Sequence, residues 1–242
     1  MLVLILCSTV LSGQEKASFK VQQLKNKRVR DAYTDKWTSL EAELKAKKVD
    51  PASLEVFIRI FKQEKELELW IKNKSDARYT FLKKINICAS SGDLGPKRKE
   101  GDLQVPEGMY TISAYNPNSS YYLALQVSYP NKSDLILKSG QRAGGEIMIH
   151  GDCVTIGCVP LQDDPVKDVY ILCVEAKNSK NTPRCEIYPC RLTEENMKSL
   201  KAKYSQQKND FWEGIRPAYS YFEKNKTPIG YTINQMGAYV YY

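Results

Sequence analysis

The sequence predicts an α+β fold, a mixed β-sheet or sandwich core with flanking helices and an N-terminal helical extension. Three observations carry this. Val29, Tyr33, Trp37, Leu40 and Leu44 recur at three- and four-residue spacing, which lays one apolar stripe along a helix. From Leu54 the pattern changes to runs rich in β-branched and aromatic residues, beginning with VFIRIF and ELELWI. Helical patterns return after Asp163 and again after Thr193, so strands and helices are largely segregated along the chain.

The elements follow in order. Leu2–Leu11 is an apolar run ending in Ser12-Gly13 and polar Gln14-Glu15-Lys16, too short to span a bilayer. It reads as a signal peptide over residues 1–13, without the usual basic start and with Cys7 in a poor context for lipidation. The mature chain then carries no integral membrane segment, and it belongs outside the cytoplasm, in the periplasm or cell envelope. Residues 14–50 form the helical extension, whose stripe packs on the main domain, and Asp50-Pro51 stops it. Val56–Phe61 and Glu66–Ile71 make a hairpin around Lys62–Lys65, and Tyr79–Cys88 supplies a third strand. Ser90–Glu107 is a long Gly-, Pro- and charge-rich loop of the kind that serves function. Further strands lie at Met109–Tyr115, Tyr121–Tyr129 and Glu146–His150. Asp163-Asp164-Pro165 caps a helix bearing Val166, Val169, Tyr170 and Cys173 on one face. Arg184–Cys190 returns as a strand, Thr193 opens a helix, and Asp210–Lys224 is an aromatic-rich amphipathic helix. The tyrosine- and glycine-rich tail from Thr227 has no assigned structure. These boundaries suggest a main domain over 51–192, with helices and tail of 193–242 packed on it.

Composition narrows the function classes. With 42% hydrophobic and 26% charged residues the 242-residue chain is an ordinary globular one. Its net charge of +8 is spread over scattered lysines without a nucleic-acid motif, which argues against nucleic acid. An anionic envelope polymer suits the charge as well. One histidine and no CxxC pair argue against zinc, and no cofactor is implied.

The chemistry concentrates in Ile147–Pro160, IMIHGDCVTIGCVP. It holds the only histidine, His150, and Cys158 eight positions on. Extended, those eight residues would span roughly 26 Å, so the two side chains meet only if the chain doubles back. Gly151, Asp152 and Gly157 are the residue types that allow it. A thiol beside an imidazole becomes a thiolate–imidazolium nucleophile for acyl transfer, with His150 as base and then as acid. Gly157 and Cys158 amides are the candidate oxyanion donors, with Thr155 a weaker one. Arg142, Tyr129, Arg191 and Lys97 are candidates for contacting substrate carboxylates. Cys88, Cys173, Cys185 and Cys190 read mainly as buried free thiols, and Cys153 as a buried structural cysteine with a Cys153–Cys158 bridge as the alternative.

This segment resembles the catalytic segment of the L,D-transpeptidase (YkuD) family, most closely its YafK-like branch. SGDLGPK at Ser91–Lys97, EGDLQVPEGMY at Glu100–Tyr110, NPNSSYYLAL at Asn116–Leu125 and SYPNKSD at Ser128–Asp134 support it, with DFW at Asp210–Trp212 and YFE at Tyr221–Glu223. The resemblance implies a YkuD-like core and a cysteine enzyme acting on peptidoglycan stem peptides. The carbonyl attacked would be that of the L-centre of a diamino acid, and the thioester would pass to an amine or to water. It also implies that the Gly151 backbone carbonyl orients His150; Asp152 is the rival orienter. Ile156 stands where the broader family has a second histidine, and Val159-Pro160 where it commonly has an arginine. Hydrolysis (as an L,D-carboxypeptidase or amidase) and a non-catalytic wall-binding module are the alternatives, a thiol redox protein ranks behind them, and nothing in the sequence fixes the oligomeric state.

Overall fold

The helical extension is two helices, and the apolar stripe runs unbroken along the second. In the computed structural model, which describes residues 17–242, α1 (Phe19–Gln23) and α2 (Lys27–Ala46) are separate helices. Asn26 caps α2 by accepting from the Arg28 amide. The apolar leader and Cys7 lie outside the described residues. Val29, Ala32, Leu40 and Leu44 bury completely, whereas Trp37 stays half-buried.

Ten strands follow. β1 (Leu54–Phe61), β2 (Glu66–Asn73) and β3 (Thr80–Asn86) form an antiparallel meander; β4 (Gly108–Ser119) and β5 (Tyr122–Val127) form a long hairpin. β6 (Met148–His150), β7 (Val159–Pro160) and β8 (Arg184–Tyr188) complete one curled mixed sheet in the order β3-β2-β1-β8-β4-β5-β6-β7. β8 enters between β1, to which it is parallel, and β4, to which it is antiparallel. A short helix α3 (Lys132–Leu137) follows β5, with Asn131 and Asp134 forming a capping box.

Helices cover both faces. α4 (Asp163–Asn178) buries Val166, Val169, Tyr170 and Cys173 against the sheet, and α1 and α2 lie on its outer side. Tyr33 and Lys20 both reach Glu175 of α4, at 2.8 and 2.6 Å, so a buried carboxylate anchors the extension. Gln162, not an aspartate, is the α4 N-cap; Asp163 is already helical and turns its carboxylate elsewhere. On the other face α5 (Glu194–Lys203) and α6 (Gln206–Asn225) seat Trp212, Ile215 and Tyr219 on Phe61 and Tyr188. The tail resolves into a hairpin, β9 (Tyr231–Ile233) with β10 (Tyr239–Tyr241), packed on α6.

The loop between β3 and β4 has no regular structure, and its backbone groups need partners. A buried ion pair supplies several. Glu107 is fully buried; its carboxylate accepts from Lys62 Nζ (2.8 Å), the Gly95 amide (2.7 Å) and Trp212 Nε1 (2.6 Å). Lys62 donates in turn to the Gly95 and Val105 carbonyls. The loop is thereby tied at two points to β1 and α6.

Removing one partner of a buried pair strands the other charge. We therefore expect Glu107→Ala to lower stability by about 3–5 kcal/mol, measured as a drop in the urea midpoint at unchanged slope. Adding Lys62→Met should restore part of it; equal loss in the double variant would contradict the assignment.

Candidate active site

His150 is the last residue of β6 and Cys158 the residue before β7. The two strands are parallel neighbours, with Ile149 opposite Val159 and His150 opposite Pro160. The intervening turn is fixed by side chains it carries or meets. Asp152 adopts φ +59° and its amide donates to Asp163 Oδ1 (2.8 Å), while Asp152 Oδ1 accepts from the Cys153 amide. At Gly151 a Cβ would press on Tyr122 Cβ and the Tyr121 carbonyl, and Gly157 has φ +138°, so each position demands glycine.

His150 is 1% exposed. Its Nδ1 lies 2.5 Å from the Gly151 carbonyl oxygen, which can only accept. Nδ1 therefore carries the hydrogen, and Nε2 keeps the lone pair a base requires. Asp152 makes no hydrogen bond to the ring. Burial lowers the His150 pKa, with the Gly151 carbonyl and the Asp152 charge acting in the opposite direction. Burial raises that of Cys158, against the Met148 amide and the Lys97 ammonium, while Glu146 adds to the rise. Each shift favours the neutral form of its group and works against the ion pair the residue types suggest.

The Cys158 thiol is 3.8 Å from the Glu146 carbonyl, on the approach to β6. No hydrogen bond joins it to the imidazole among the described residues. The Glu146 contact lies four residues before His150, outside the strand that ends there.

The other expected residues divide. The Gly157 and Cys158 amides donate to Thr155 Oγ1, at 3.1 and 2.9 Å, so both candidate oxyanion donors are occupied by a hydroxyl that itself donates to the Cys158 carbonyl. Tyr129 is buried, its hydroxyl spent on the Ala143 carbonyl, and cannot meet a substrate. Arg191 is held by Glu66 and Glu68 at 2.8 Å each, with its guanidinium over Phe61. It belongs to the β1–β2 hairpin. Arg142 is exposed and pairs with Glu100 at 3.3 Å, the most open of the three to solvent. Lys97 is buried against Asp102 (2.6 Å).

The cysteine pairing differs from expectation. Cys153 is exposed, not buried, and bridges Cys88 at the end of β3, with a Cα separation of 5.7 Å. The 65-residue separation hid this partner, because local spacing says nothing about two distant loops. Cys158, Cys173, Cys185 and Cys190 are free, the last three buried. Tyr121, whose ring lies 4.9 Å from that of His150, was not singled out by sequence reasoning beyond its place in the NPNSSYYLAL run. Among the described residues no three potential ligands cluster to hold a metal, and no helix is long and apolar enough to cross a membrane.

Comparison with known proteins adds to this geometry. The family model described as the L,D-transpeptidase catalytic domain (YkuD) matches residues 55–183. The chain is 38% identical over 176 residues to the "Putative L,D-transpeptidase YafK" of Escherichia coli (strain K12), covering 72% of this chain and 68% of that protein. Among solved structures, the helical cell shape determining protein Pgp2 from Campylobacter jejuni aligns with 18% identity and a TM-score of 0.45, over 74% of this chain and 73% of that one. Bd1075 of Bdellovibrio bacteriovorus aligns with 20% identity and a TM-score of 0.41, over 71% and 60%.

Two measurements follow from the site. A thiol raised by burial forms thiolate only above its ordinary range, so iodoacetamide should label Cys158 slowly at neutral pH and faster above about pH 9. Rapid labelling in mildly acidic buffer would contradict a neutral resting pair. Separately, Cys88→Ser should lower stability by about 4 kcal/mol, the chain-entropy value for so long a loop, read as a fall in melting temperature that added reductant does not deepen.

Proposed function

The chain belongs to the L,D-transpeptidase (YkuD) catalytic-domain family, and we propose that it acts on peptidoglycan stem peptides through a thioester on Cys158. The observation that carries this reading is the Nδ1 contact of His150 with the Gly151 carbonyl, which leaves Nε2 unprotonated beside the strand that bears the thiol.

The proposed cycle begins with the thiol leaving the Glu146 carbonyl and turning toward Nε2. As Sγ attacks the carbonyl carbon of the diamino acid's L-centre, Nε2 takes the thiol proton. Because both shifts favour the neutral forms, proton transfer accompanies attack instead of preceding it. The oxyanion takes the place of Thr155 Oγ1 on the Gly157 and Cys158 amides. Collapse breaks the C–N bond, and the imidazolium gives its proton to the departing amine. A second amine then attacks the thioester and Nε2 takes its proton; the C–S bond breaks and the imidazolium returns that proton to the departing thiolate, restoring the thiol. Arg142 is the remaining candidate for a stem-peptide carboxylate.

Export fits the same reading. A Cys88–Cys153 disulfide persists in an oxidising compartment, which supports a periplasmic or envelope location. Water as the second acceptor is favoured by one observation. Ile156, in the place of a hydrogen-bonding residue, is 79% exposed and apolar, so it offers nothing to hold an incoming amine. We propose transfer with substantial hydrolysis beside it.

The test supplies a tetrapeptide-bearing muropeptide with and without a D-amino acid, with products read by mass spectrometry. Exchange and hydrolysis products should both form, and Cys158→Ala should form neither. Turnover by Cys158→Ala would sink the reading, and complete exchange without a water product would overturn the partition. His150→Gln should cost on the order of 10² to 10⁴ in kcat. Because burial lowers the His150 pKa, the wild-type rate should hold as pH falls through 6.5 and drop only below it, where the base becomes protonated.

A further inference from the structure

The buried imidazole of His150 makes one hydrogen bond among the described residues, to the Gly151 carbonyl, and the packing on its face sets its plane. Tyr121 supplies one. Its ring lies 4.9 Å from the imidazole, tilted by 36°, and it is the aromatic ring packed on His150. Tyr121 sits in the tight turn between β4 and β5, where it is 45% exposed and where Tyr122 has φ +68°. A half-exposed ring on a two-residue turn is not fixed by burial.

The turn is instead gripped by the N-terminal extension. Arg28, at the start of α2, donates from one guanidinium nitrogen to the Ser119 carbonyl (2.6 Å) and the Tyr122 carbonyl (2.8 Å), the two carbonyls that bracket the turn. The same guanidinium stands 5.9 Å from the Tyr122 ring. Asn26, the α2 N-cap, donates to the Asn118 side chain one residue before the turn. α2 itself is fixed to α4 through Tyr33 and Glu175 and through Lys36 and Asp164. Asp163 of α4 in turn holds the Asp152 amide beyond His150. The segments on both sides of the imidazole are thus referenced to the same pair of helices.

We propose that Arg28 and Tyr121 are positioning residues for His150. The N-terminal helices act through the β4–β5 turn to hold the imidazole plane, and with it the Nδ1–H tautomer. This rests on the reading of His150 as the base. The Tyr121 hydroxyl makes no hydrogen bond among the described residues, so the ring face is what the clamp uses. A phenylalanine should therefore replace it.

His150 being the only histidine, its imidazole gives one set of nitrogen signals in a long-range ¹H–¹⁵N spectrum of histidine-labelled protein. Wild type and Tyr121→Phe should show one Nδ1–H tautomer above the histidine pKa. Tyr121→Ala and Arg28→Ala should shift toward the averaged tautomer signals of a mobile ring. Their kcat should fall roughly tenfold to a hundredfold at unchanged KM, the scale of a misplaced catalytic group. An unchanged spectrum in Tyr121→Ala, or equal damage from Tyr121→Phe, would overturn the clamp. A shifted spectrum with full turnover would overturn His150 as the base, and with it the catalytic role of the clamp. Should Arg28→Ala lower the melting temperature enough to unfold the chain, the comparison of Tyr121→Ala with Tyr121→Phe decides alone.

Discussion

The parallel pairing of β6 with β7 is the constraint around which the site is built. Parallel neighbours are ordinarily joined by a dozen or more residues. Here the connection runs from Gly151 to Cys158, only eight. A crossover that short cannot pack a helix on the sheet, so it must double back as a tight turn and meet its backbone groups with side chains. Asp163 and Thr155 accept from its amides, Gly151 and Gly157 remove side chains where none fits, and Cys153 ties its outer edge to Cys88. The same tightness sets an imidazole on one strand end and a thiol at the foot of the next.

The electrostatics follow from that burial. Desolvation disfavours charge on both groups, lowering the histidine and raising the cysteine. Under the proposed thioester chemistry a neutral thiol is a weak nucleophile, so the proposal relies on orientation, and the surrounding contacts bear on it. The Gly151 carbonyl fixes which nitrogen bears hydrogen; Thr155 Oγ1 accepts from the Gly157 and Cys158 amides, the proposed oxyanion donors. The loop between β3 and β4 is held by Glu107 and Lys62. Two helical elements far apart in sequence flank His150, α2 gripping the β4–β5 turn and α4 the β6–β7 connection.

What could be read from the sequence was local or periodic. The hairpin around Lys62–Lys65, the third strand, the long loop and the helices after Asp163 and Thr193 all announce themselves by pattern. The α2 stripe does so too, though the break at Asn26 was hidden by uniformly helical composition. What could not be read depended on partners far away in the chain. Tyr129 and Arg191 look like substrate ligands until the fold supplies the Ala143 carbonyl and the Glu66–Glu68 pair that occupy them. The bridge from Cys153 to Cys88 and the packing of Tyr121 on His150 are of the same kind. The two-residue β7 and the tail hairpin are too short to carry a period. The closeness of His150 to the Gly151 carbonyl needed only neighbouring residues, and the resemblance to a known catalytic segment pointed to it.

The central claim is that the acyl group rests on Cys158 between two half-reactions. Intact-mass spectrometry of the protein, quenched in acid during turnover of a tetrapeptide-bearing muropeptide, tests it directly. The account predicts an adduct equal to the donor less its leaving group. It should map to the peptide containing Cys158 and be removed by neutral hydroxylamine, as a thioester is. Turnover with no adduct at any quench time, or an adduct on another residue, would contradict it.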